Sequence, residues 1–421
     1  MAAALVLVVA ISPTASTQSK PSDEQRIIAY VDAHSQEAVA LLERTVNIES
    51  ATLNLEGVRG VGRAFGSELE AVGFTSRWVE MPKEMNRAGH LFAERTGTKG
   101  KRLLLIGHLD TVLQGKGFER KGTRAYGAGT VDMKGGDVVL LYALKALHSI
   151  GALDGTRIIV AMTGDEELPG SPLSISRRDL VEAARRSDAA LAFEAAAGDS
   201  ATVARRGSSS WRLEVTAPTG HSSGIFSEGA GSGAVFEASR ILSAFYQELK
   251  GEQYLTFNPS VIVGGTDVTY DEREKRGTAA GKPNVIAKRV VVEGDLRFIS
   301  EEQKERARSR MREIVARNLP RAQAQISFED SYPAMSPTPG NYALLKVLDE
   351  ASRANELGQV VAYDPGRRGA GDVSFVAPYI SGLDGLGARG GGSHEPDEYV
   401  ELDTLPLLIK RAALLIYRLT R

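Results

Sequence analysis

Five short segments of this chain end in residues able to hold a metal ion or move a proton. The apolar run Leu103–Gly107 breaks off at His108-Leu109-Asp110, and Asp132 lies inside the glycine-containing stretch Gly129–Gly136. Thr163-Gly164-Asp165 leads into Glu166-Glu167, Ala192-Phe193 into Glu194, and Gly392-Ser393 into His394. Open α/β sheets place their ligands where buried strands surface at their C-terminal ends, so an acid or imidazole at each such point is what a site built from strand ends requires. The chain has no cysteine. A metal would be held by imidazole and carboxylate, a donor set that suits zinc or cobalt better than copper(I) or an iron–sulfur cluster. Two metals sharing one carboxylate would use His108, Asp132, Glu167, Glu194 and His394 together.

Glu166 and Glu167 are adjacent, so an extended backbone turns them to opposite sides and separates their roles. A carboxylate beside an activated water can take its proton, orient it toward an amide carbonyl and later protonate the leaving nitrogen. Asp110, two residues from His108, is the natural partner to fix that imidazole's tautomer. The glycines around Gly127-Ala128-Gly129 and Gly135-Gly136 precede no phosphate-loop lysine pattern and read as room for backbone near the metals. His34, His90 and His148 are assigned to structure or solvent, His148 at a helix end where it meets the dipole.

The elements that must position these residues begin with a helix over Asp23–Asn54, then a helix near Gly60–Val72, strands near Thr75–Val79 and His90–Glu94, and the strand before His108. Asp132 precedes a helix through Leu140, Leu144 and Leu147, and Arg157–Met162 is the next buried strand. This alternation predicts an α/β domain with a largely parallel sheet. Beyond Arg206 the style changes to a two-layer α+β pattern: strands at Ser208–Ala217, Leu255–Val263, Val285–Phe298 and Ala324–Phe328, with helices at Gly231–Leu249 and Ser300–Asn318. Thr266–Pro283 reads as a mobile loop. For His394 to meet His108, the first domain must be discontinuous, 24–205 plus 332–421, with 206–331 inserted.

A chain of 421 residues is too long for one core, which agrees with two domains. With 51 basic against 53 acidic residues and no long basic run, it lacks the electrostatic footprint of a nucleic-acid binder. Met1–Ile11 is apolar but too short to span a bilayer, so residues 1–19 are expected to be a signal peptide of a periplasmic or secreted protein, a cytoplasmic protein being the alternative. Without cysteine, no lipid-bearing thiol or disulfide is available, and no membrane attachment is expected.

Taken in order, the five segments resemble the zinc-dependent M20 family of metallopeptidases, in its glutamate carboxypeptidase and carboxypeptidase G2 branch, from about Glu24 to the C-terminus. The set carries the resemblance, since any one segment recurs by chance. It implies two Zn2+ (Co2+ as a substitute) bridged by Asp132, with His108 and Glu194 completing one site and Glu167 and His394 the other. It also implies Glu166 as general base and His221, in Gly220-His221-Ser222, as oxyanion donor from a lid and dimerisation domain, often across a homodimer. Arg297 and Asn284 match contacts to the substrate's terminal carboxylate, with Arg205 and Arg206 as weaker candidates. Gly366–Asp372 matches a turn approaching the substrate, and Gly371 replaces a threonine common in relatives. The activity implied is hydrolysis of an amide or peptide bond beside a free carboxylate, by an exopeptidase acting on small peptides. An N-acyl amino acid deacylase is the alternative, and a catalytically silent peptide-binding protein is one from another class, against which the retained Glu166 argues.

Overall fold

Leu103, Leu104, Leu105 and Ile106 are all buried, because their strand, Lys99–His108, runs between parallel neighbours Thr156–Thr163 and Ala189–Ala192. A strand covered on both faces reads as a continuous apolar run and not as an alternation. Leu103 and Leu105 face one core with the Lys134–Ser149 and Leu405–Leu419 helices; Leu104 and Ile106 face another with the Arg178–Arg185 and Val373–Val376 helices. Ser381–Leu383 extends the sheet in parallel, while His90–Arg95 and Thr75–Val79 close the opposite edge antiparallel. The six-stranded sheet is therefore mixed, parallel through its middle and one side. The structure is a computed structural model that describes residues 21–115 and 117–421. The expected signal peptide, 1–19, lies outside them. Among the described residues, no helix is long and apolar enough to cross a membrane.

The largest apolar core draws on residues from Ile27 to Val203 and again from Leu344 to Leu419, with none between. A separate core spans Trp211 to Ala334 under a four-stranded antiparallel sheet, ordered Thr256–Gly265, Arg289–Phe298, Gly207–Thr216, Gln323–Asp330. Gly207–Thr216 alternates buried and half-buried residues, so one face packs on the Gly233–Leu249 and Glu301–Val315 helices. Trp211 meets Phe245 edge-on at 5.8 Å. The two chain crossings between the sheets run side by side: Arg205 and Met335 exchange main-chain hydrogen bonds of 2.9 and 3.0 Å, and Ser208 N–H donates to Tyr332 O at 2.9 Å.

Three local expectations change. The helix expected over Asp23–Asn54 is two, Asp23–Ala33 and Ser35–Val46, broken at His34. The His34 ring stacks on Tyr30 at 3.9 Å and bonds the Tyr30 carbonyl at 2.8 Å, which also accepts from His34 N–H at 3.1 Å, so the residue at the break is tied back to the first helix. The next helix starts at Leu55 and not Gly60, capped by Asn54 Oδ1, which accepts from Gly57 N–H. Finally, 266–283 holds a hairpin, Asp267–Asp271 paired with Arg276–Ala280. Asp271 accepts from Arg273 and Glu274 N–H, and Lys275 takes a φ of 50°, which closes a turn that composition alone does not reveal.

Candidate metal and active site

Parallel pairing of three strands gathers the site. His108 ends the central strand opposite Thr163, so Glu166 and Glu167 follow on the neighbouring strand's C-terminal side. Ile106 pairs Ala192 on the other side, two residues before Glu194. Asp132 sits just ahead of the Lys134–Ser149 helix. His394, at φ 67°, lies on the turn between Gly390–Gly391 and Tyr399–Glu401.

Asp132 stands at the centre. Its Oδ1 is 3.3 Å from His108 Nε2 and its Oδ2 is 3.3 Å from His394 Nε2. Glu194 Oε1 lies 3.9 Å from His108 Nε2, and Glu167 Oε2 lies 3.2 Å from His394 Nε2. Donor atoms of His108, Asp132 and Glu194, and of Asp132, Glu167 and His394, each fall within 4.8 Å of one another. Ligands about 2.0–2.2 Å from one tetrahedral zinc are separated by roughly 3.3–3.6 Å, so most of these gaps have the size an ion needs. Glu167 Oε1 is buried with no hydrogen-bond partner, so it has a lone pair free for a cation. The donor set therefore fits a pair of zinc-like ions.

The electrostatics agree. Burial, and then the charge of Glu194, hold Glu166 well above the carboxylate range, and burial with Asp132 pushes Glu194 up to about 7. Burial alone would lower His108, but hydrogen bonds to Asp110 and Asp132 raise it, and Asp132 and Glu167 raise His394 to about 10. Asp132 is buried yet held below the usual range by both imidazoles. Crowded carboxylates that cannot all ionise take protons or cations.

Asp110 does more than the expectation asks of it. His108 Nδ1 lies 3.0 Å from the Asp110 main-chain oxygen and 3.5 Å from its carboxylate, so the carbonyl is the closer partner that fixes the ring. The carboxylate accepts instead from Glu166 N–H, Glu167 N–H and Thr52 Oγ1, at 3.0, 3.1 and 2.6 Å. It holds the turn bearing both glutamates.

Several supporting groups escaped sequence reading. Glu398 is buried and accepts from Gly129, Val131 and Asp132 N–H at 2.9, 2.8 and 3.0 Å, tying the Asp132 segment to the His394 turn. Buried Arg177 pairs with Asp165 and Asp372 behind the glutamates, and Tyr332 Oη donates to the Glu166 carbonyl at 2.7 Å. The one signal available was proximity in sequence, Asp165 beside Glu166 and Glu398 four residues after His394. His90 is buried, accepting from Gly164 N–H and bonding Ser176 O, while His148 is exposed in its helix's last turn. Gly136 gives backbone room: a Cβ there would lie 1.9 Å from the Phe193 carbonyl oxygen.

The other expected contacts do not join this cluster within one chain. His221 is exposed, its Nδ1 accepting from Ser223 N–H at 3.2 Å. Asn284 is exposed, and its carbonyl accepts from Ser222 N–H, which brings it beside His221. Arg297 is engaged by Asp295 at 2.7 Å, and Arg206 reaches Thr256 Oγ1 at 3.3 Å. Arg205 does reach the site, 3.9 Å from Glu194, with Asp384 as its carboxylate partner. A Cβ at Gly371 would lie 3.0 Å from Arg205 Nη1, so glycine there leaves space for this guanidinium.

An α/β sheet whose strand ends gather imidazoles and carboxylates of this kind defines a metal-dependent hydrolase. The sequence profile of peptidase family M20/M25/M40 matches residues 104–418, and the chain belongs to that family. It is an M20-type metallopeptidase, a hydrolase of amide bonds. It is similar to carboxypeptidase G2 of Pseudomonas sp. (strain RS-16), 29% identical over 90% of this chain and 88% of that one. It is also similar to a succinyl-diaminopimelate desuccinylase of Gluconobacter oxydans, 28% identical over 80% of this chain and 86% of the relative. The fold matches a Bacillus subtilis protein described as a dinuclear metal-binding peptidase of the M20 family, with a TM-score of 0.64, 14% identity, and coverage of 92% of this chain and 99% of that one.

Proposed function

We propose that the chain is a dizinc exopeptidase of the carboxypeptidase G2 type, cleaving an amide bond beside a free carboxylate. The observation that carries this reading is Asp132, which turns one oxygen toward each of two imidazoles, each with its own further acid. His108, Glu194, Glu167 and His394 would complete the two ligand sets. The metals, when bound, would supply Lewis acidity that activates water and polarises the amide carbonyl.

The chain's own groups do the rest. Glu166, lining the cavity above this cluster, takes the water's proton and returns it to the leaving nitrogen. Asp110 fixes Glu166 from behind through its N–H, and Tyr332 fixes it through its carbonyl. His221 and Asn284 sit side by side just before the Arg289–Phe298 strand and Arg297 lies toward its far end, all on the segment between the two crossings; the reading brings them to the site from the partner's copy in a homodimer, His221 to the oxyanion and the other two to the substrate carboxylate. The desuccinylase relative supports a second reading, an N-acyl amino acid deacylase built on the same steps. The Met1–Ile11 run supports a periplasmic or secreted protein as part of this reading, a cytoplasmic one being the alternative.

The test is Glu166→Gln beside chelation. Removing metal should abolish hydrolysis and zinc or cobalt should restore it, while Glu166→Gln should keep two metals by elemental analysis and lose at least about 10²-fold in kcat. Unaltered turnover in that variant with both metals present would dismiss Glu166 as the base.

A further inference from the structure

The Glu166 carboxylate accepts no hydrogen bond among the described residues, so its aim is set through its main chain. Three side chains hold that stretch. Arg177 Nη2 donates to the Asp165 carbonyl at 3.0 Å, the Asp110 carboxylate accepts from Glu166 and Glu167 N–H at 3.0 and 3.1 Å, and Tyr332 Oη donates to the Glu166 carbonyl at 2.7 Å. Asp110 follows the central strand of the six-stranded sheet, and Arg177 precedes the Arg178–Arg185 helix packed on it. Tyr332 comes from elsewhere.

Its main chain belongs to the second crossing and is tied to the Gly207–Thr216 strand of the four-stranded sheet. Ser208 N–H donates to Tyr332 O at 2.9 Å, Ser331 N–H donates to Ser208 O at 3.2 Å, and Tyr332 N–H reaches Ser208 Oγ at 3.4 Å. Ser208 in turn stands opposite Arg297 in that sheet. The Tyr332 side chain leaves the crossing for the metal-site side. Its ring lies 4.9 Å from that of Phe375, and its hydroxyl accepts from Arg177 Nη2 at 3.4 Å. A hydroxyl that accepts from a cation has its own proton left for the Glu166 carbonyl. Burial, and then the charge of Glu166, hold the phenol above its ordinary range, so it remains a donor. One residue thus has its main chain fixed to one sheet and its hydroxyl on the proposed base of the other.

We propose that Tyr332 is a positioning residue that links the placement of the inserted sheet to the aim of Glu166, so that a substrate carboxylate held on that sheet is felt in kcat and not in binding alone. This rests on the hydrolase reading above, which puts the carboxylate contacts on the segment between the crossings. A rotation of that segment turns about the crossings, since hinges are the few residues joining two bodies, and it carries the Tyr332 main chain with it. The bond to the Glu166 carbonyl passes the motion to the base, whose carboxylate has no hydrogen bond of its own to hold it. In the homodimer of that reading the two inserted sheets are joined, so a carboxylate held by either moves both crossings. Binding energy from a remote group is thereby used to orient the reacting groups.

The experiment measures kcat and KM of the zinc-loaded protein on one substrate, a dipeptide or an N-acetyl amino acid, as its free acid and as its C-terminal amide. Wild type should turn over the acid with a kcat about tenfold or more above the amide's. Tyr332→Phe, which keeps the ring, should lower kcat on the acid about tenfold, leave its KM within about twofold and hardly change the amide, so that the two kcat values converge. Ser208→Ala loosens the link from its other end and should narrow the gap in the same direction. In the metal-free protein, amide exchange of residues 164–168 should quicken about fivefold in Tyr332→Phe, the effect of one lost hydrogen bond. Equal losses on acid and amide would overturn the coupling, because the hydroxyl would then hold the base without reference to the carboxylate. So would an acid-to-amide kcat ratio near one in wild type, or a lowered melting temperature in Tyr332→Phe with both kcat values and the exchange unmoved; each leaves the hydrolase reading standing. No turnover of acid or amide by wild type with both metals bound would bring down that reading as well.

Discussion

Glu398→Gln isolates one carboxylate that joins the two sides of the metal site without touching a metal. Its Oε1 accepts from Val131 and Asp132 N–H at 2.8 and 3.0 Å, and its Oε2 from Gly129 N–H at 2.9 Å. Its own chain returns to His394 through Glu398 N–H to Glu395 O and Glu395 N–H to Gly392 O. Glutamine keeps the shape and one acceptor. If that oxygen faces Val131 and Asp132, the new NH₂ opposes Gly129 N–H, leaving two donors face to face in a buried place. The loss is one charge-assisted bond of about 1.5–3 kcal/mol plus a stranded donor of about 1–3 kcal/mol, so about 2.5–6 kcal/mol in all. Loop adjustment absorbs part of this. The share that displaces Asp132 or His394 should appear as a ten- to hundredfold weaker zinc affinity, about 1.4–2.8 kcal/mol. The assay is zinc titration of the apo protein against a chromophoric chelator, with melting of the apo form reporting the share lost from stability. Glu395→Gln is the control, since Glu395 is exposed and its carboxylate has no ion pair among the described residues. Zinc affinity within about twofold of wild type in Glu398→Gln would refute the view that this carboxylate sets the ligand geometry.

Two further outcomes follow from features far apart in the molecule. His221→Ala should lower kcat by about 10²–10³ with both metals retained, and co-refolding it with Glu166→Gln should recover roughly a quarter of wild-type activity if the histidine acts across a randomly paired dimer; heterodimers confirmed by mass but no more active than their parents would exclude action in trans. Glu24 takes two hydrogen bonds from Arg418 and one from Asn355, joining the first helix to the last, and the Arg418 bonds hold its pKa below the ordinary 4.5. A depressed carboxylate contributes stability above its unfolded pKa and loses it as pH falls through the folded value. Glu24→Gln should therefore cost about 0.5–1 kcal/mol at pH 7, and the difference from wild type should shrink below about pH 4.5 in denaturant titrations; a constant gap down to pH 3 would show that charge is not its origin.

The central sheet and the five-residue cluster could be read in the sequence because they follow from short-range patterns. A strand apolar at every position must lie between neighbours, and the residue at which the run stops must surface at the strand's end. His108 and Glu194 were reachable in that way. Asp132 and His394 were not, since a glycine-containing turn fixes no direction in space; resemblance to a family supplied their places, and the structure puts both beside His108 or Glu167. The edge strands Thr75–Val79 and His90–Arg95 were visible, but their antiparallel sense is a long-range choice that their own residues do not encode. The hairpin after Gly265 was hidden because its turn is made by Asp271 and Lys275, without the Asn-Gly or Asp-Gly pair that marks tight hairpins.

What sequence could not reach was the layer behind the ligands, and the reason is physical. Asp110 was expected to serve the imidazole two residues away, and its main chain does, but its carboxylate also serves Glu166 and Glu167, 56 and 57 positions on, which no local pattern shows. Buried carboxylates are placed by whichever N–H groups remain unsatisfied after the strands have paired, and those groups are known only once the fold closes. Glu398, 266 positions from Asp132, and Arg177, 195 positions from Asp372, obey the same rule. Ligand residues are limited by chemistry to a few types at strand ends, so a sequence can nominate them. The groups that aim those ligands are selected by leftover hydrogen-bonding capacity, and that capacity is a property of the folded sheet and its loops together.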